Sequence, residues 1–226
     1  MRGPFATYNR GMLVDIIVYD GLDEMDALGP LEVLRKVQAL RDDFAVRLVS
    51  PTGQKKVRGA GGLVFSTDGA FEPTEAEIVV VPGGGWVARA PVGAWGEHVR
   101  GELKPLLVIA AANARIMAGV CTGTMLLAHA GVIGGRRAGT HHSALGELAA
   151  LGVEVVADRV VDDDDLVTSG GVTSGIDLAL WLVERELGAE LAEQISTVIE
   201  YPWFRPRLAP PDGESSLFVV PVEQGS

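Results

Sequence analysis

The sequence is poor in the residues that staple or metallate small folds: a single cysteine, Cys121, and four histidines among 226 residues. One cysteine excludes an internal disulfide and any cysteine-rich metal site, and it fits the reducing cytoplasm, where the chain is expected to reside. Positive charge is scarce as well. Lys and Arg number 19 against 30 Asp and Glu, a net charge of −11, which argues against the clustered basic face that nucleic acid requires. There is no run of about twenty apolar residues to span a bilayer, and Met1 to Gly11 lack the basic start and apolar segment of a secretory leader. Internal repeats and low-complexity linkers are absent too. One domain over residues 1–226 is expected, with a core from about 12 to 201 and an irregular Pro-rich tail over 202–226.

Against that background the stretch Gly119-Val120-Cys121-Thr122-Gly123 stands out. It follows the apolar run Ile116-Met117-Ala118 and precedes Thr124-Met125-Leu126-Leu127-Ala128, the order of a strand, a sharp turn and a helix. In such a nucleophile elbow the turn residue is held in a strained backbone conformation, and glycines flank it because a side chain there would strike the strand or the helix. A cysteine at the helix N-terminus is favoured as thiolate, which predicts a lowered pKa and a nucleophile near neutral pH. A buried structural thiol is the competing reading, since free cysteine is among the most buried residue types.

Elsewhere strands and helices alternate. Met12–Tyr19, Phe44–Ser50, Ile78–Val81 and Arg115–Val120 read as strands. The spacing of Leu28, Leu31, Leu34 and Val37 predicts a first helix with Pro30 in its first turn, preceded by a loop carrying Asp23, Glu24 and Asp26. Val57–Phe65 reads as a short hairpin or an irregular connection, Trp95–Leu103 and Pro105–Asn113 as helices, and Thr122–Ala130 as the helix leaving the elbow. Further on, Arg136–Thr140 reads as a short strand, Ser143 as the cap of a helix through Leu151, and Val153–Val156 and Asp158–Val161 as strands. Asp162 to Asp165 read as a solvated turn that lacks the spacing of a calcium loop. Ser174 opens a helix that Gly188 ends, and Leu191, Ile195, Val198 and Ile199 mark the last one. The alternation predicts an α/β sandwich with a mostly parallel sheet, whose site lies beyond the carboxyl ends of the strands. Three loops fit that place: the acidic loop after the first strand, Pro82-Gly83-Gly84-Gly85, and the elbow.

If those loops meet, Asp26 supplies a carboxyl group beside a thiolate, whose charge would raise the carboxyl's pKa so that it holds a proton to donate. The N–H groups of Gly84 or Gly85, with that of Thr122, could form an oxyanion hole. Together they would make a site for covalent catalysis with no metal and no cofactor. Plainer roles stand beside each of these. Asp26 could be a helix N-cap and Glu24 the working acid, Gly83 to Gly85 a tight turn, and Thr122 a helix cap. His141 and His142 could be surface residues, and His129 a helix side chain without chemistry.

These residues are similar to those of the DJ-1/PfpI superfamily, from Leu13 to about Tyr201, and within it to the isonitrile hydratase branch. The matching pieces are Asp26 to Leu34, Val81-Pro82-Gly83-Gly84, Val120-Cys121-Thr122-Gly123, Gly135 to His141, and Thr168 to Asp177. The resemblance implies a flavodoxin-like three-layer sandwich, a homodimer, a small-molecule substrate, and Cys121 as nucleophile with Asp26 as its acidic partner. His141 falls where several members keep a histidine near the nucleophile. Protease-like members place a histidine directly after the nucleophile; Thr122 stands there in this chain, as in hydratases. The chain departs from the branch at His142, where an aromatic residue is common, at Met125 and His129, which replace small residues, and at Gly85-Trp86 in the glycine loop. Other relatives carry a helix-turn-helix regulator, but no basic helical segment follows here and DNA binding is not expected.

The reaction so implied is hydration of an isonitrile to an N-substituted formamide. The alternatives are glyoxalase- or deglycase-like chemistry on a 2-oxoaldehyde with His141 as base, and a redox sensor whose Cys121 is oxidised to a sulfinic acid beside Asp26.

Overall fold

Ile78–Val81 and Ile116–Val120 are buried along their whole length, as strands are when a parallel sheet is covered on both faces. The structure, a computed structural model, describes residues 11–203 and 205–206. In chain order its first elements are β1 (Met12–Ile17), α1 (Glu24–Leu40), β2 (Phe44–Ser50), β3 (Lys56–Arg58), β4 (Val64–Ser66), β5 (Gly69–Ala70), β6 (Ile78–Val81), α2 (Gly93–Arg100) and α3 (Leu103–Ala111). There follow β7 (Ile116–Val120), α4 (Gly123–Ala130), β8 (Arg137–Ala138), a 3₁₀ turn (His142–Ala144), α5 (Leu145–Ala150) and β9 (Glu154–Val155). The last are β10 (Val160–Asp163), β11 (Leu166–Ser169), α6 (Ser174–Leu187) and α7 (Ala189–Val198).

Seven strands form the central sheet in the order β10-β11-β7-β6-β1-β2-β5, and every neighbouring pair is parallel except β10 with β11. Helices α1, α6 and α7 pack together as one outer layer, and α2, α3 and α4 as the other. The result is the expected α/β/α sandwich. Its register positions the site: Val81 lies opposite Gly119, and Ser169 opposite Val120. The carboxyl ends of β6, β7 and β11 are therefore level, and their loops emerge side by side.

Several elements differ from the sequence reading, each for a local reason. Helix α1 starts earlier than the leucine spacing indicated, because Asp23 caps it by accepting the Met25 N–H at 3.0 Å. Asp26 thus sits in the first turn and Pro30 in the helix interior, where proline cannot donate to the carbonyl of Asp26 four residues back. Pro30 serves the α1–α6 crossing instead, since a Cβ on Gly175 would stand 3.1 Å from both Pro30 Cδ and Val120 Cγ1. Ser143 caps no helix through Leu151. The His141 ring caps the 3₁₀ turn, its Nδ1 accepting the Ser143 N–H at 3.3 Å, and α5 starts only at Leu145.

The four aspartates from Asp162 are not simply a solvated turn. Asp162 and Asp163 belong to β10, where Asp162 accepts from the Trp181 indole at 2.6 Å and pairs with Arg185 at 2.9 Å, while Asp163 pairs with Arg136 at 2.7 Å. Asp164 and Asp165 alone make the turn to β11. The Val57–Phe65 segment is a hairpin of antiparallel β3 and β4. Of the expected tail, 204 and 207–226 lie outside the described residues. Among the described residues no helix is long and apolar enough to cross a membrane.

The elbow leaves Gly123 no room, since a Cβ there would overlap the Val81 carbonyl oxygen. Gly131, which ends α4 at φ 81°, is surrounded by open space. Gly123→Ala is expected to destabilise the fold by about 3 kcal/mol or more through overpacking, and Gly131→Ala by about 1–2 kcal/mol through backbone strain alone. Thermal unfolding followed by far-UV circular dichroism will rank the two.

Candidate active site

Cys121 adopts φ +55°, a left-handed conformation that a non-glycine residue rarely takes. Neighbours fix it on both sides. Its N–H is shared between the carbonyls of Ser169 and Gly170, at 3.2 and 3.0 Å, and its own carbonyl accepts the Thr140 hydroxyl at 2.7 Å. The elbow is then tied to the glycine loop, because the Gly84 N–H donates to Thr122 Oγ1 at 2.9 Å. That loop is tied in turn to α1, the Gly83 N–H donating to Asp26 Oδ2 at 3.0 Å, while the Tyr19 hydroxyl donates to the Pro82 carbonyl. The three loops singled out in the sequence do meet.

Asp26 is fully buried, and its Oδ1 has no donor at hydrogen-bonding geometry. Burial, with the charge of Asp23 adding to it, holds this carboxyl well above the usual range, against the pull of the Gly83 N–H, the Cys121 thiol and the Val172 N–H. Burial and the Asp26 carboxylate push the Cys121 thiol up to about 12, opposed by the N–H groups of Val172 and Thr122. The lowered pKa expected for a thiol at a helix start is therefore absent. Desolvation and an adjacent carboxyl outweigh the helix end, and both buried acids are held towards their protonated forms.

The predicted residues divide accordingly. Of the two acids, Asp26 is the one that meets the thiol. Glu24 turns to the β3–β4 hairpin, accepting the Leu63 N–H at 3.3 Å and packing on Gly59 and Gly61. The Gly84 N–H is engaged by Thr122, so in this arrangement it is not available to an oxyanion. Gly85, at φ 71°, accepts the Ala90 N–H and turns the chain into Trp86. His141 packs over Gly171, and its Nδ1 accepts the Ser143 N–H and lies 2.6 Å from the Ser143 hydroxyl, which leaves the ring proton on Nε2. Burial, then the proximity of His142, holds His141 below its ordinary pKa, so the imidazole is neutral.

Sequence reading missed Val172. At φ +46° it is a strained β-branched residue whose N–H lies near enough to the Cys121 thiol and the Asp26 carboxyl to lower the pKa of both. The motif Gly170-Gly171-Val172 gives no warning of this, since the glycines beside it are the residues one would assign the left-handed backbone. Thr140 was also missed; a threonine just before a histidine carries no signal that its hydroxyl holds the carbonyl of the nucleophile.

Residues 12–185 match the DJ-1/PfpI family. The chain belongs to that family. Among curated relatives, the isonitrile hydratase of Pseudomonas putida is 31% identical over 189 residues, 83% of this chain and 78% of the relative. The Parkinson disease protein 7 homolog of Danio rerio is 27% identical over 186 residues, 80% of this chain and 92% of the relative. Among solved structures, a ThiJ/PfpI family protein from Pseudomonas syringae superposes with a TM-score of 0.74 at 25% identity, covering 91% of this chain and 79% of the other.

The buried acid pair has two measurable consequences. Asp26 has a folded-state pKa raised above its unfolded value, so its ionisation opposes folding above about pH 4, and not below, where both states are protonated. Asp26→Asn is thus expected to raise the melting temperature at pH 7 and to match the parent near pH 3.5, within reach of differential scanning fluorimetry. The same change removes the carboxylate that pushes the thiol up, so alkylation of Cys121 by iodoacetamide at pH 8 should be faster in the variant than in the parent.

Proposed function

We propose that this protein is an isonitrile hydratase that converts R–NC and water into an N-substituted formamide. The observation that carries the reading is the electrostatic coupling of two buried groups, the Asp26 carboxyl and the Cys121 thiol, each of which raises or lowers the other's pKa. Addition to an isonitrile places the new C–H and C–S bonds on the same carbon atom. It therefore suits a carboxyl and a thiol placed side by side. Addition to a carbonyl places the proton on oxygen, one bond away from the attacked carbon, and calls for a donor set apart from the nucleophile.

In the first half-reaction Asp26 gives its proton to the isonitrile carbon while the sulfur bonds to that carbon, and the thiol proton returns to Asp26. The product is the thioimidate R–N=CH–S–Cys121. No free thiolate is needed, in keeping with a thiol held near 12. In the second half-reaction water adds to the thioimidate carbon with Asp26 moving the proton, and the C–S bond breaks to release R–NH–CHO and the thiol. The N–H groups of Val172 and Thr122 face the sulfur and stabilise the negative charge it carries as it attacks and as it leaves. The 31% identity to the Pseudomonas putida hydratase, over 83% of this chain and 78% of that protein, supports the same reading.

A spectrophotometric assay of an aryl isonitrile tests it. Cys121→Ala is expected to abolish hydration, and Asp26→Asn to lower kcat by about 10² or more, the usual share of a general acid, while leaving the thiol alkylatable. Turnover by Cys121→Ala would refute the covalent route. Inactivity of the parent on isonitriles, with lactate formed from methylglyoxal in a manner dependent on His141, would give the site to 2-oxoaldehyde chemistry instead.

A further inference from the structure

Asp177, in the first turn of α6, is fully buried, and the hydration chemistry does not use it. A carboxylate in that position needs charged, hydrogen-bonded partners. Arg159 supplies them from the residue before β10. Its Nε and Nη2 donate to Asp177 Oδ2 at 2.8 and 2.5 Å, and Nη2 also donates to the Tyr201 hydroxyl at 3.0 Å, which in turn donates to the same Oδ2 at 2.9 Å. This triangle ties the chain after α7 to α6. Arg159 reaches the elbow as well. Its carbonyl accepts the Gly170 N–H at 3.0 Å, and the Gly170 carbonyl accepts the Cys121 N–H at 3.0 Å. Three residues further on, the guanidinium Nη2 donates to Thr173 Oγ1 at 3.3 Å. Arg159 thus grips the turn 170–173 at both ends, with its main chain and its side chain, and the left-handed Val172 lies between the two grips.

An anchor for the chain after α7 would need only the guanidinium, Asp177 and Tyr201. Thr173 does not fit that plainer role. It stands at the N-cap of α6, where a threonine hydroxyl ordinarily accepts an N–H of the first turn, yet it makes no such bond and accepts from Arg159 instead. On its other side the turn is closed by His141, whose ring leaves no space for a Cβ on Gly171. A valine at φ +46° persists only where its surroundings over-determine it, and the N–H held there lies near enough to the Cys121 thiol and the Asp26 carboxyl to lower the pKa of both. We infer that Arg159 is a positioning residue for the nucleophile, fixing both ends of the turn 170–173 and so keeping the Val172 N–H at Cys121. Asp177 orients the guanidinium, and Tyr201 joins it to the chain after α7. This role holds for any electrophile that the thiol meets and does not rest on the hydration proposed above.

The pH–rate profile of Cys121 alkylation by iodoacetamide tests it, because the midpoint reports the acidity of the thiol and the plateau its accessibility. Asp26→Asn in the full chain serves as the background, since it removes the carboxylate that pushes the thiol up and brings the midpoint into reach. Thr173→Val and Arg159→Lys leave the net charge as it is. Lysine keeps the ion pair with Asp177 but lacks the planar fork that holds Asp177 and Thr173 together. Each change is expected to raise the midpoint by about half a pH unit or more, through loss of a donor to the thiolate. Tyr201→Phe, which leaves both contacts of Arg159 with the turn, should not move it. If Arg159→Lys fails to fold by circular dichroism, Thr173→Val decides alone. An unchanged midpoint in either folded variant, or a rise as large in Tyr201→Phe as in Thr173→Val, overturns the proposal. Isonitrile turnover does not enter this readout, so an inactive parent would count against the hydration and leave the role of Arg159 to be decided by the profile.

Discussion

The left-handed backbone of Cys121 is the constraint on which the rest of the site depends. A residue at φ +55° does not stay there unaided, and this one is held by residues far away in sequence. Ser169 and Gly170 take its N–H from the end of β11, and Thr140 takes its carbonyl from the loop after β8. Thr168 accepts the Gly139 N–H at 2.8 Å, so the two clamping segments also hold each other. The glycines follow from the same turn. With the chain doubling back so sharply, the start of α4 comes up against the carbonyl of Val81, and only a residue without Cβ fits at position 123. Level strand ends then let one short loop, Pro82 to Gly84, bridge the elbow to α1.

Burial sets the chemistry that this scaffold can support. A helix N-terminus favours an anion by a modest amount, typically 0.3–1 kcal/mol where solvent is near. Here the sulfur and the carboxyl lie out of water and next to each other, and desolvation is the larger effect on both. Both groups are held towards their protonated forms, and Oδ1 of Asp26 is left without a hydrogen-bond partner. Val172 brings a backbone N–H close to both partners, at the expense of a strained β-branched residue.

The fold and the centre of the site were legible in the sequence because they rest on local patterns. Apolar runs gave β6 and β7 almost to the residue, and Gly119-Val120-Cys121-Thr122-Gly123 gave the elbow. What the sequence could not yield depends on contacts between distant segments. The choice between Asp26 and Glu24 turns on the start of α1 at Asp23, which points one carboxyl inward to the thiol and the other to the hairpin. The leucine spacing misplaced that start by several residues, since a buried stripe says where a helix packs and not where its first turn is capped. The thiol's pKa was misread for a related reason: the helix end is visible in sequence, and the depth at which it is buried is not.

The raised thiol pKa also bears on the choice among functions within the family. Peroxide is attacked by thiolate, so a cysteine that serves as a sensor needs a low pKa and access to solvent. Cys121 has neither, being 5% exposed and held near 12. With its pKa raised to about 12 the thiol is protonated at neutral pH, and under the proposed hydration the nearby Asp26 would ready it for a substrate able to take up a proton and a sulfur together. Under the proposed hydration, reactivity would be gated by the substrate's own basicity at carbon, which an isonitrile offers and an aldehyde does not.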